Sequence, residues 1–155
     1  TNTFTITCDT AFDQVIVNCA ITSRKGSTET WIDNDFINAY TLLHSLGLAH
    51  SFEAWKEDVL VGGLYGIAIG EVFFGESMFA HFSNASKAAF IKGVQFLKFH
   101  NFKMIDCQIG TQHLQSLGAN YLPRNIFLKN LAFDVLPPAL NSKNWSILFQ
   151  SFLSK

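Results

Sequence analysis

The period of apolar positions changes several times along the chain, and each change marks an element. Thr3 to Thr7 alternates Phe4 and Ile6 with threonines, which predicts a short strand with one buried face. Phe12, Val15, Ile16 and Cys19 then recur at helical spacing, with Asp9 expected as the cap of that helix. Ser23 to Thr30, carrying Arg24, Lys25 and Gly26, reads as an exposed loop, and Trp31 follows it. Asp33 is a second expected cap, before a helix through Ile37, Tyr40 and Leu43 or His44 that Gly47 ends. From Ala49 the period becomes two. Phe52 and Trp55 belong to a strand region, Lys56-Glu57-Asp58 is a polar turn, and Val59 to Ala68 returns as the hairpin partner.

Gly70 turns the chain into a further strand, Val72 to Phe74, and Ser83 or Asn84 opens a long helix to about His100. The helix face of Ala89, Phe90, Gly93 and Leu97 is expected to pack on the sheet. Lys103 to Gln108 reads as a strand, Thr111 to Leu117 as a short helix ended by Gly118, and Arg124 to Phe133 as a helix opened by Pro123. Pro137-Pro138 breaks the chain, and Trp145, Ile147 and Phe149 are read as a final strand. Strand, two helices, three antiparallel strands, helix, strand, helix is the order of the GNAT (acyl-CoA N-acyltransferase) fold. The expected class is therefore α+β, a mixed and mostly antiparallel sheet flanked by helices. Order alone is an analogy of fold, and sites must decide function.

Composition narrows the possibilities. The 155 residues suit a single domain, and 48% hydrophobic content with 16 Phe implies a large buried surface. A net charge of −1 supplies no global basic field, so any contact with phosphates has to be local. The 3 cysteines have no C-x-x-C pair, which argues for a reducing compartment, expected to be the cytoplasm. The 5 histidines show no H-x-x-x-H spacing, and no metal site is expected. The apolar run Val59 to Phe74 falls short of the roughly 18 residues that cross a bilayer, so no membrane span is expected.

Candidate chemistry gathers in two places. On a strand, Asp106 and Gln108 share one face while Cys107 points to the other. A carboxylate beside an amide, with Glu76 as a second acid nearby, could orient an amine and take its proton. A Cys107 nucleophile with His113 is the competing reading, without an evident third group to orient it. Gly75-Glu76-Ser77-Met78-Phe79 places an acid where an acetyltransferase would bind pyrophosphate, which disfavours acetyl-CoA; no cofactor is expected.

The motifs Thr30-Trp31-Ile32, Leu46-Gly47-Leu48-Ala49-His50-Ser51, Leu60-Val61-Gly62-Gly63-Leu64-Tyr65-Gly66, Gly75-Glu76-Ser77-Met78-Phe79, Asn84-Ala85-Ser86-Lys87, Ile105-Asp106-Cys107-Gln108 and Ser116-Leu117-Gly118-Ala119 with Pro123-Arg124 stand in one order. Together they resemble the bacterial leucyl/phenylalanyl-tRNA–protein transferases, over the GNAT-like C-terminal domain of that family. The resemblance implies transfer of Leu or Phe, less readily Met, from aminoacyl-tRNA to a protein beginning with Arg or Lys, marking it for degradation. It also implies that Gln108 accepts a hydrogen bond from the incoming amine, that Asp106 polarises it or relays its proton, and that Glu76 holds the aminoacyl end. Leu64, Phe73, Gly75, Phe90, Gly93, Leu97 and Ile105 map onto the family's side-chain pocket. Gly93 departs from the bulky residue usual there, and Phe90 is correspondingly large. Trp31 matches an aromatic that stacks on the terminal adenine.

The family's small N-terminal domain is expected to be absent from these 155 residues, with Arg24, Lys25, Lys87 and Arg124 as possible substitutes for its basic cluster. Two alternatives stay open, a compact relative that loads a small amine and a non-catalytic module that binds N-terminal residues.

Overall fold

The hairpin at the centre of the chain forms as its alternation predicts. In the computed structural model, which describes residues 4–22, 32–131 and 144–155, β2 (Ala49–Lys56) and β3 (Val59–Ile69) pair antiparallel around the polar turn. Glu57 and Asp58 both adopt left-handed conformations, φ 50° and 65°, and this twist suits the two-residue turn of a right-twisted hairpin. β1 (Thr5–Cys8) joins the outer edge of β2, and β4 (Val72–Ala80) pairs antiparallel with β3. β5 (Met104–Asp106) lies parallel to β4 and completes, among the described residues, a five-stranded sheet in chain order.

Two helices cover one face. The predicted stripe of α1 (Phe12–Ile21) is buried, with Val15 and Ile16 fully enclosed, each worth about 1.5 to 3 kcal/mol of apolar burial. Its cap differs from expectation: Asp9 is bound elsewhere, and Ala11 precedes the helix with no side-chain bond. In α2 (Asn34–Ser45) the Asp33 carboxylate accepts the Phe36 N–H at 2.8 Å, as the sequence suggests. Phe36, Ile37, Tyr40 and Leu43 pack with α1 over Tyr65 and Phe79.

The other face carries α3 (Ala85–Phe99) and α6 (Trp145–Leu153). The predicted strand at Trp145 is a helix. Trp145 and Phe149, both fully buried, with partly buried Phe152, repeat at i, i+4 and i+7, whereas Ile147 is 66% exposed. Alternate and helical spacing coincide for Trp145 and Phe149, and Phe152 resolves the ambiguity. Among the described residues, two short helices, α4 (Gln112–Ser116) and α5 (Arg124–Asn130), lie between β5 and α6. The architecture is α+β, a mixed and mostly antiparallel sheet with helices on both faces.

Candidate active site

The β4–β5 ladder is brief. Val72, Phe73 and Phe74 pair with Met104, Ile105 and Asp106. Parallel partners share a face, so Ile105 lies with Phe73 on the α3 side and packs against that core. The strand expected to reach Gln108 stops at Asp106, because the chain turns there. Asp106 Oδ1 accepts the Gln108 N–H at 2.8 Å, and Gln108 sits at φ 61°. Asp106 and Gln108 are thus brought together by a side-chain-to-backbone turn and not by strand alternation. Asp106 is partly buried and Gln108 exposed.

Beside this turn an open groove of about 870 Å³ runs between α3, β5 and the segment leading to α5. Phe90, Val94 and Leu97, at helical spacing on α3, join Phe102 and Ile105 as its apolar lining. Asp106, Cys107 and Gln108 line it too. Three of the expected pocket residues, Phe90, Leu97 and Ile105, therefore reach the groove. Leu64 and Phe73 are buried in the sheet core, 4% and 1% exposed. Gly93 faces β2: a Cβ built there would stand 2.9 Å from the Phe52 ring, so that ring occupies the space a side chain would fill. Gly75 sits where β4 passes Asp106, and a Cβ there would meet the Asp106 carbonyl at an ordinary 3.5 Å. Trp31, Arg24, Lys25 and Pro137-Pro138 lie outside the described residues.

Glu76 is positioned by an irregularity. Tyr65 pairs with Ser77 and Gly66 with Gly75, which leaves Glu76 as the extra residue of a bulge in β4. Its carboxylate bonds the Tyr40 hydroxyl from α2. Burial, followed by the charge and hydrogen bond of Glu76, pushes the Tyr40 phenol well above its usual range, so Tyr40 stays protonated and donates. Phe74 pairs with Asp106, which sets Glu76 two residues, or about 7 Å, further along the strand. Burial and then Asp106 raise the Cys107 thiol, the reverse of what an activated nucleophile needs.

Tyr40, Val94 and Phe102 are among the lining or orienting residues that sequence reasoning missed. Val94 was recoverable from its i+4 spacing to Phe90. From the sequence Tyr40 reads only as a helix-face residue, since nothing local ties it to a strand far along the chain.

Comparison with known proteins adds an independent line. A profile described as leucyl/phenylalanyl-tRNA protein transferase matches residues 1–132. The leucyl/phenylalanyl-tRNA–protein transferase of Anaeromyxobacter dehalogenans (strain 2CP-C) is 46% identical over 145 residues, 94% of this chain and 62% of the relative. Its namesake in Thermodesulfovibrio yellowstonii is 49% identical over 152 residues, 98% and 62% of the two chains. The chain thus spans about three-fifths of the length of the curated relatives it matches.

Among solved structures, an aminoglycoside acetyltransferase from an uncultured soil metagenomic sample superposes with a TM-score of 0.57 at 15% identity, covering 79% of this chain and 93% of its own. A transcriptional regulator from Bacillus halodurans gives 0.51 at 13% identity, covering 86% and 94%. At such identities the likeness concerns the fold, which is GNAT-like. No helix among the described residues is long and apolar enough to cross a membrane.

Proposed function

The chain belongs to the leucyl/phenylalanyl-tRNA–protein transferase family, and from that premise we propose that it transfers an aminoacyl group from aminoacyl-tRNA to the α-amino group of a protein. The observation that carries the reading is the groove: an apolar lining of Phe90, Leu97 and Ile105 on the same cavity as the Asp106–Gln108 turn. An apolar aminoacyl side chain, Leu or Phe and less readily Met, enters against that lining. The acceptor is a protein or peptide with N-terminal Arg or Lys.

The reaction is an ester aminolysis. The acceptor nitrogen attacks the ester carbonyl carbon, a C–N bond forms, the C–O bond to the terminal ribose breaks, and the amine proton ends on the departing ribose oxygen. An α-amine has a pKa near 8, so the site has only to desolvate it, orient it and relieve it of a proton. The Gln108 side-chain carbonyl accepts from the amine and Asp106 supplies the negative charge that draws the proton away. Gln108 carries no titratable group, which makes Asp106 the electrostatic driver. Glu76, held by Tyr40, receives the amino group of the aminoacyl ester. Free thiols at Cys8 and Cys107 suit a cytoplasmic setting.

The test is transfer of labelled Leu or Phe from charged tRNA to a peptide beginning with Arg. Asp106→Ala is expected to lower the rate by about a hundredfold or more with an unchanged circular dichroism spectrum. Absence of transfer by the folded chain at saturating tRNA refutes the proposal, and transfer only to small amines redirects it to another acceptor.

A further inference from the structure

Asp9, His44 and His50 come from the end of β1, the last turn of α2 and the start of β2, and no sequence spacing links them. The fold brings one ligand atom from each within 4.8 Å of the others. Two of the three are firmly seated. Asp9 Oδ1 accepts the Ser51 N–H at 2.8 Å, while Oδ2 lies 2.7 Å from His50 Nδ1. On the far side of that ring, His50 Nε2 stands 3.1 Å from the Gly47 carbonyl, and the ring stacks on Trp145 at 3.6 Å between centroids. A carbonyl only accepts, so Nε2 carries a hydrogen and Nδ1 is the nitrogen that faces the carboxylate. An imidazole whose outer N–H is held by a backbone carbonyl has the arrangement that metal-ligating histidines use.

His44 is the most exposed member, its ring stacked on Phe12 at 4.2 Å between centroids. Its Nδ1 lies 2.8 Å from the Ala49 carbonyl and 4.0 Å from Asp9 Oδ1, and its side chain is 28% exposed against 1% for His50. Two imidazoles and one carboxylate, with the remaining position left to water on the exposed side, suit zinc and similar ions better than magnesium or calcium, which prefer all-oxygen sets.

We propose that Asp9, His44 and His50 form a structural site for a zinc-like divalent cation. Binding takes the place of the direct Asp9–His50 hydrogen bond and joins β1, α2 and β2 through one ion. Tyr40 lies one helical turn before His44 on α2, so the same tie braces the helix that reaches Glu76. The site is independent of the proposed transfer reaction.

Calorimetric titration of the tag-free chain with zinc is expected to show one ion per chain. Cobalt should give the visible absorption of a four-coordinate site and quench the Trp145 emission, a quench lost in Trp145→Phe. His44→Ala, at a partly exposed position, should keep the circular dichroism spectrum and weaken binding by more than about tenfold, the lower end of what even an outer partner contributes. No stoichiometric binding at millimolar zinc, or binding unchanged by His44→Ala, overturns the proposal and leaves the cluster a hydrogen-bonded clamp.

Discussion

The two faces of the sheet are built from different materials. Against α3 and α6 the contact is aromatic and dry: Phe52, Phe73, Phe96, Trp145 and Phe149 are fully or almost fully buried, and Phe96 lies 5.3 Å from Phe149 and 5.5 Å from Trp145 between centroids. Against α1 and α2 the sheet buries a carboxylate. Glu53 is 0% exposed and accepts hydroxyls from Ser51 at 2.5 Å, Thr7 at 2.5 Å and Thr10 at 3.1 Å. The first face holds shape, and it backs the groove through Leu97 and Phe102. The second holds directions, and it carries the Tyr40–Glu76 bond. Packing of rings tolerates small shifts, whereas a buried acid demands its donors in place. The division explains how an apolar cavity and oriented charges coexist on a sheet of five strands.

The largest test of this contrast is Trp145→Ala. It removes a ring that touches His50, Phe52, Phe73 and Phe96, and urea unfolding should show a loss of about 3 to 5 kcal/mol. Gly93→Ala ranks next. The new methyl would stand 2.9 Å from the Phe52 ring, and overpacking of about 1 to 3 kcal/mol opposes a helix-propensity gain of about 1 kcal/mol. A net loss is expected, measured by the same unfolding curves, and a gain would mean that Phe52 moves freely.

The smallest effect belongs to the polar face. Burial raises the Glu53 carboxyl, with Asp9 adding to it, and hydroxyl bonds offset only part. The folded chain therefore holds this proton more tightly than the unfolded one, so the contribution is full below the usual value near 4.5 and is lost as pH rises through the raised value. Glu53→Gln should flatten the fall in melting temperature across that window. An unchanged slope would assign the pH dependence to other groups.

Much of the scaffold was legible because it depends on local spacing. The α1 stripe, the Glu57-Asp58 hairpin turn and the Asp33 cap each concern residues within a few positions of one another. Asp106 and Gln108 were legible as a pair, although for the wrong geometric reason: alternation assumed a strand that the Asp106 carboxylate itself ends. Trp145 and Phe149 fit two periods at once, and only packing against α3 selects the helix. Glu76 could not be read as a bulge, since the extra residue exists only relative to the count on β3. The meeting of Asp9, His44 and His50 depends on three elements arriving at one corner, information that no single stretch contains.

That bulge has a consequence for how the proposed chemistry is attached to the scaffold. Gly75 and Ser77 already face consecutive partners, Gly66 and Tyr65, across the ladder. Glu76 is therefore an insertion into an otherwise regular strand and takes no core position. The acid is modular: its removal as a whole residue leaves a strand whose remaining pairs are still in step, so the sheet and the carboxylate can change independently of each other.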